Sequence, residues 1–459
     1  MALLLGACAL QSPPYRGGEA GDIPGSWSAT REARAGVDDR WVKKIGGSPL
    51  VSLVAEAQSA NPSLQASAAR VDQAAAVAKI AGAERLPTLG AGFQSTRQKQ
   101  NFVGIPGING GSTSNSFGVS LQAAWEADLW GKAKAGTEAA IADAQAQVQM
   151  DRALRTSLAA QVAKAWLAVA EANEQVDLAE RAVKSRSEST TLVLERFERA
   201  IADDGGSAAQ VRLSETELAT SKSDLERRKG ERERAYRQLE LLLGRYPSGN
   251  AAAGARLPKL PPPPPTGLPS ELLLRRPDLL EAERRLAAAG RRKDEAVKAL
   301  FPSISLTGSM GTTTDQLEKV LSSSAGVWSR GGSLTQPIFQ GGRLRGGIEQ
   351  AEGAEREAVA NLQRVTLDAF GEVEQALIAE IYLRRQEKEL EQSVVLATDA
   401  AERAGEEFRN GTGGVLTYIA SQNQEIQASA ALVSVRRLLL DNRVNLHLAL
   451  GGDVVLHGP

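Results

Sequence analysis

The sequence predicts a mainly α-helical chain with a small transmembrane β part, and three observations carry that expectation. Aromatic residues make up only 4% of the 459 residues, while Ala, Leu, Glu, Arg and Gln fill long stretches of helical composition. Two stretches in each half alternate apolar with polar residues at a spacing of two, as strands with one apolar face do. The two halves are also duplicates of one another.

The duplication is read directly from the chain. "NPSLQASAARVDQAAAVAKIAGAERLPTLGAGF" from Asn61 and "RPDLLEAERRLAAAGRRKDEAVKALFPSISLTGSM" from Arg276 place Pro62 and Pro277, and then Pro87 and Pro302, at one offset of 215. Further on, Gly131 and Gly342, like Phe197 and Phe408, stand 211 apart. The halves therefore stay in step with one small change of length.

Taken in order, residues 1–8 end in "LLLGAC", whose last four residues have the small-residue pattern of a lipobox. No Lys or Arg precedes Cys8 and the apolar run is short, so 1–8 reads as the truncated end of a lipoprotein signal, with a covalent lipid expected on Cys8. One acyl anchor holds weakly, so a second attachment to the membrane is expected. Residues 9–50 form an N-terminal segment.

The first repeat, 51–245, reads as a helix over 52–85, strands over 87–100 and 114–127, a long helix over 132–200, a hairpin, and a helix over 207–244. Pro87 stops the first helix, and "NFVGIPGINGGST" has the Gly and Asn of a hairpin loop. Residues 246–269 are a connector whose "LPKLPPPPPTGLP" cannot be helical, because its prolines lack amide donors. The second repeat, 270–450, gives helices over 271–300, 343–408 and 415–449 and strands over 302–312 and 327–338; 451–459 is a tail. The long helices, at 1.5 Å per residue, span roughly 100 Å each, with narrow apolar seams suited to coiled-coil pairing.

No helix-length run is apolar enough to span a bilayer, so a crossing has to be made of strands. Leu89, Phe93, Phe117, Val119, Leu121, Ile304 and Leu306 are the expected lipid-facing residues. Gln94, Ser120, Gln122, Ser303, Ser305 and Thr307 alternate with them and suit a watery lumen. Arg330 falls where an apolar residue is wanted, which makes the fourth strand the weakest. Four strands do not close a barrel, and an open edge in lipid strands unpaired amides, so closure must come from other copies of the chain.

Other functions find little support. Lys and Arg number 54 against 55 Asp and Glu, so no global field recruits nucleic acid. One cysteine and two histidines, His447 and His457, provide no metal-site spacing, and "WGKAKAGT" lacks the residues of a phosphate loop. Glu281 and Glu283 sit among arginines on a helix, as solvated ion pairs do. Glu126 and Asp128 end a strand, where they are expected to line the mouth between barrel and helices. No catalytic constellation and no metal or organic cofactor is expected.

Four motifs, "LLLRRPDLLEAERRLAAA" (272–289), "LFPSISLTGSMG" (300–311), "WEADLWGK" (125–132) and "QPIFQGGRLRGGIEQAE" (336–352), then carry a resemblance over nearly all the chain after Cys8. The chain resembles the TolC-like outer-membrane factors of tripartite, RND-type efflux systems, in their lipoprotein branch. The resemblance implies a homotrimer whose four strands per chain close a twelve-strand barrel in the outer membrane of a Gram-negative bacterium. It implies a periplasmic tunnel of twelve long helices, and an equatorial domain from the N-terminal stretch, the connector and the tail. It also implies an inner-membrane RND-type pump and a periplasmic adaptor as partners, with small molecules as cargo. Protein export by a type I system and a soluble coiled-coil scaffold are the alternatives.

In that family the periplasmic gate lies at the helical hairpins. The tips here are "FERAIADDGGSAAQ" (197–210) and "FRNGTGGVLTYIASQNQ" (408–424). Where members carry Asp and, three residues on, Arg, this chain has Ala420 and Asn423, so the acidic pair Asp203 and Asp204 is the other candidate for gate charge. Gly205, Gly206, Asn410, Gly411 and Thr412 are the candidate adaptor-docking tips.

Overall fold

A proline cuts the opening helix of each repeat in two, where single helices over 52–85 and 271–300 were expected. In the computed structural model, which describes residues 27–29, 40–102, 110–201, 207–251, 254–267 and 269–452, α1 (Trp41–Ala60) gives way to α2 (Pro62–Ala83). In the second repeat α5 (Leu272–Arg275) gives way to α6 (Pro277–Lys298). The pyrrolidine ring keeps the preceding residue out of the helical region: Asn61 sits at φ −69°, ψ 123° and Arg276 at φ −74°, ψ 121°. Proline is tolerated at the first position of the next helix, where its missing N–H has no partner to lose. α1 also begins at Trp41, within 9–50, and kinks at Gly47 (φ 62°) ahead of Pro49.

Between and after these come β1 (Thr88–Phe102), β2 (Gly110–Ala127), α3 (Lys132–Ile201) and α4 (Ala208–Leu242), then β3 (Ser303–Thr314), β4 (Gly326–Thr335), α7 (Arg343–Asn410) and α8 (Val415–Ala449). α3 and α7 run unbroken for 70 and 68 residues. β1, β2 and β3 reach further than their apolar alternation indicates, because the polar rows beyond Phe93 and Phe117 continue the ladder without an apolar marker. β4 ends three residues before 338.

The chain divides into two compact units. One, described over Arg70–Val148 and Glu281–Leu362, holds a four-stranded antiparallel sheet in the order β1-β2-β3-β4. In the same unit Ala135, Ala139, Ala142 and Ala146 of α3 are buried at spacings of four and three, and Ala282, Ala288 and Ala289 of α6 are buried too. Small side chains let these helices approach closely, and Arg291–Glu138 at 3.2 Å and Arg292–Asp143 flank the contact.

The other unit, made of the described parts of Gly17–Ala69, Gln149–Leu280 and Gln363–Pro459, holds the apolar cores, and these repeat as the sequence does. Leu64, Val162, Leu239 and Leu243 lie in one cluster; Leu279, Val373, Leu446 and Leu450, their counterparts in the second half, lie in another. The joints are duplicated too. Asn61 Nδ2 donates to the carbonyl of Leu242 at 2.8 Å, the last residue of α4, and Arg276 Nη1 donates to that of Ala449 at 3.1 Å, the last of α8. Both closing helices end in a Schellman motif. Gly244 N bonds Leu241 O and Arg245 N bonds Glu240 O; Gly451 N bonds Leu448 O and Gly452 N bonds His447 O. Each needs a glycine at positive φ, 75° and 68°.

After the first Schellman turn the connector is pinned by Glu240. Its buried carboxylate accepts from Gly249 N at 2.6 Å, Asn250 N at 2.7 Å and Ser248 Oγ at 3.1 Å, and the Gly249 N–H leads in holding its pKa below the usual glutamate range.

Two outcomes follow. A Cβ at Gly244 would lie 2.8 Å from the Ala60 carbonyl, and at Gly451 3.1 Å from the backbone of Arg275. Gly244→Ala and Gly451→Ala should each cost about 1–2 kcal/mol from the left-handed backbone alone, read as a lower melting midpoint by circular dichroism; an unchanged midpoint would refute the joint. Because the Glu240 pKa is depressed, its contribution is present above the ordinary glutamate range and is lost as pH falls through the lowered value. Hydrogen exchange at Gly249 and Asn250 should therefore rise on acidification, after correction for intrinsic rates, and stay flat in Glu240→Gln.

Candidate functional site

The register of the sheet sorts its side chains onto two faces of opposite character. Leu89 pairs with Ala123, Ala91 with Leu121, Phe93 with Val119 and Ser95 with Phe117. Leu121 pairs in turn with Met310, Trp125 with Leu306 and Ala127 with Ile304, and then Met310 with Trp328 and Ile304 with Leu334. Paired residues in a ladder point to the same side, so Leu89, Phe93, Phe117, Val119, Leu121, Ile304 and Leu306 share one face. The other carries Gln94, Ser120, Gln122, Ser305, Thr307, Ser309 and Ser329, with Val327 and Ala124 among its few apolar residues.

Nothing among the described residues covers the apolar face. Leu89 is 69% exposed, Trp328 72% and Leu334 69%. A contiguous exposed patch of this kind marks a surface made for lipid or protein. The sequence left Trp328 and Leu334 unassigned because Arg330 spoils the β4 alternation. The structure keeps Arg330 on the apolar face, its guanidinium 5.5 Å over the Trp328 ring. The outer edges of β1 and β4 have no partner among the described residues.

Where the sheet meets the helices, aromatic side chains and caps fix the junction. Trp130 stacks on Phe301 at 5.5 Å and donates to Pro302 O at 2.7 Å, while Trp125 donates to Arg85 O at 3.0 Å. Asp128, expected to line a mouth, instead caps α3: its oxygens accept from Ala133 N at 3.2 Å and Lys134 N at 2.8 Å, favourable at the positive end of the helix. Glu126 pairs with Lys132 at 2.9 Å.

At the α7–α8 hairpin, Asn410, Gly411 and Thr412 form a third Schellman turn, with Gly411 at φ 82° and Thr412 N bonded to Glu407 O at 3.0 Å. Val193, Val211, Phe408, Val415 and Ile419 make a small core beneath it. Arg196 lies 4.3 Å above the Phe408 ring. Asp203, Asp204, Gly205, Gly206 and Cys8 lie outside the described residues.

The sequence missed the strongest polar feature near this tip. Arg186 is only 2% exposed; its Nη2 donates to Asn423 Oδ1 at 2.5 Å and Ile419 O at 3.2 Å, and its Nη1 to Gln422. Gln422 passes the network on to Ser185 at 2.6 Å and Ser189 at 3.2 Å. Burial pushes the Arg186 pKa down while Glu217 and Tyr418 oppose it. Ala420 lies exposed on α8, whereas Asn423, read as its companion at a gate, has its oxygen engaged by α3 of its own chain. A signal did exist: Ala179, Ala182, Arg186, Ser189 and Val193 follow one three-four seam, all buried, and two of its positions are polar.

With this geometry in place, comparison with known proteins finds a match to the family model "Outer membrane efflux protein" over residues 53–245 and 268–452. The chain is 33% identical to outer membrane protein OprJ of Pseudomonas aeruginosa, over 98% of this chain and 94% of the relative. It is 27% identical to the cation efflux system protein CusC of Escherichia coli K12, over 98% of each. Among solved structures it is similar to the open state of the MtrE outer membrane channel of Neisseria gonorrhoeae, with a TM-score of 0.80 and 28% identity over 94% of this chain and 96% of that one.

The Arg186 node yields a measurement. Arg186→Ala should raise amide exchange at least tenfold in α8 from Ile419 to Asn423, because removing the buried cation leaves Gln422 and Asn423 without their donor. Unchanged protection would mean that the apolar core alone holds the tip.

Proposed function

The chain belongs to the outer membrane efflux protein family, and from that premise we propose that it is the outer-membrane channel of a tripartite efflux pump, passively conducting small molecules. The observation that carries the proposal is the sorting of apolar side chains onto one face and polar ones onto the other, on a sheet with two open edges. Three copies bring twelve strands, each edge strand finding its partner on a neighbour, so that no backbone group is left unpaired in lipid. The apolar face then meets hydrocarbon. The face of Gln94, Ser120, Gln122 and Thr307 lines water. A lipid on Cys8 supplies the second attachment that strengthens anchorage.

The helices continue the conduit through the periplasm. The hairpin tips, Gly205–Gly206 and Asn410–Gly411–Thr412, are the docking points for a periplasmic adaptor that links the channel to an inner-membrane RND-type pump. Asp203 and Asp204 of three copies form an acidic ring, with Ala420 exposed on the second hairpin and Asn423 held by Arg186. No side chain performs chemistry on the cargo, and recognition belongs to the pump.

Conductance of purified protein in planar bilayers tests this. Discrete steps are expected; a water-soluble thiol reagent should reduce them in Gln122→Cys and leave them unchanged in Leu121→Cys. Asp203→Ala/Asp204→Ala should enlarge them. A silent bilayer from protein that extracts without detergent would sink the channel reading.

A further inference from the structure

The duplication extends into the ladder of the sheet. Moving the first member of the pair Thr88–Ala124 on by 215 residues and the second by 211 gives Ser303–Thr335, which is the observed β3–β4 pairing. The same offsets therefore govern strand register as well as sequence. Applied to the β2–β3 ladder, where Val119 faces Thr312 and Leu121 faces Met310, they give the register of the one ladder a single chain does not contain, between β4 and the β1 of the next copy. In it Arg330 faces Arg97 of the partner subunit, Trp328 faces the partner's Lys99, and Leu334 faces the partner's Phe93. The same register brings polar-face residues together, Ser333 with the partner's Gln94 and Gly331 with the partner's Thr96.

The junction so formed gathers three cations on the apolar face. Like charges directly opposite one another destabilise a ladder, and a cation on the lipid side of a transmembrane strand is unfavourable in proportion to its depth. No carboxylate compensates: the outward positions of all four strands carry no Asp or Glu. Asp315 and Glu318 belong to the turn beyond β3, and the four steps of strand from Gly326 to Arg330 place Arg330 about 13 Å below that turn. Trp328, with Arg330 over its ring at 5.5 Å, adds the amphipathic aromatic that settles at headgroup level. Phosphate oxygens fit such a cluster, since guanidinium groups grip them bidentately and an ammonium adds point charge.

We propose that each junction between copies binds the phosphate of a phosphorylated lipid in the outer leaflet, held by Arg330 of one copy and Arg97 and Lys99 of the next, with Trp328 against the headgroup. The proposal rests on the trimeric barrel reading, and the test separates the two. In membranes, Arg330→Cys combined with Arg97→Cys should give disulfide-linked trimers on oxidation, while Arg330→Cys with Thr96→Cys, whose side chain points to the other face, and each single variant should not. A monomeric protein would overturn the barrel reading itself; trimers with no link at the first pair would overturn the register and the site. Detergent-purified trimer is then titrated with diphosphorylated lipid A and read by native mass spectrometry. Up to three lipids per trimer are expected, with affinity at least tenfold weaker for Arg330→Gln/Arg97→Gln/Lys99→Gln and for lipid A stripped of its phosphates. Equal retention in the variant, or full displacement by millimolar inorganic phosphate, would overturn the lipid site while leaving the barrel standing.

Discussion

The backbone of a four-stranded sheet in hydrocarbon is the constraint on which the rest depends. Every N–H and C=O must be paired where water is absent, yet β1 and β4 each present an open edge. A soluble sheet would blunt those edges with charge or cover them with a helix. Here the edges stay open and the apolar face stays bare, which makes sense only if the missing partners are further copies. Oligomerisation in the proposed channel is therefore a condition of having a transmembrane part at all.

The helices answer a different demand. Their buried seams are built largely from alanine, at Ala135, Ala139, Ala142 and Ala146 and again at Ala179 and Ala182. Alanine lets backbones approach closely but packs with little shape to fix which residue meets which. Polar residues on a seam supply that specificity at some cost in stability. Arg186 acts in this way: its fork reads Gln422, Asn423 and the Ile419 carbonyl together, so sliding α8 past α3 by one turn would leave a buried cation unsatisfied.

Much of this was legible in the sequence. Composition gave the helices, and α8 runs over 415–449 as read. The alternation in "SFGVSLQAAW" marked β2 and its apolar face. Two kinds of feature were not legible. The breaks at Asn61 and Arg276 depend on the local clash before proline, and the helical composition on either side, strong enough to hide it, led to a single helix being drawn through each. The role of Arg186 depends on seam phase carried across about fifty residues of helix, within which one arginine among the many basic helical positions looks like any other. Asp128 shows the same limit from the other side: its position at a strand end pointed to a pore mouth, while the N–H groups of α3 claimed it.

The duplication allows a sharper reading than either half alone, because positions related by the repeat share a backbone role and differ only in what the side chain adds. Asn61 and Arg276 both close a helix joint through a donated hydrogen bond, but only Arg276 also grips Asp278 at 2.6 Å and Glu372 at 2.7 Å. The second joint is thus tied by charge at the pre-proline residue itself, whereas in the first the charge sits on Arg245 after the turn, paired with Glu56 of α1. Leu239 and Leu446 keep the core in both halves, while the next position is Glu240 in one, pinning the connector, and His447 in the other, stacked on Trp41 at 5.8 Å. The shared residues build a frame that a half-sized ancestor would already need. The residues that differ attach what only one half possesses: a connector after α4, an extra charged clamp at α6, and a cation on β4 where β2 has a valine.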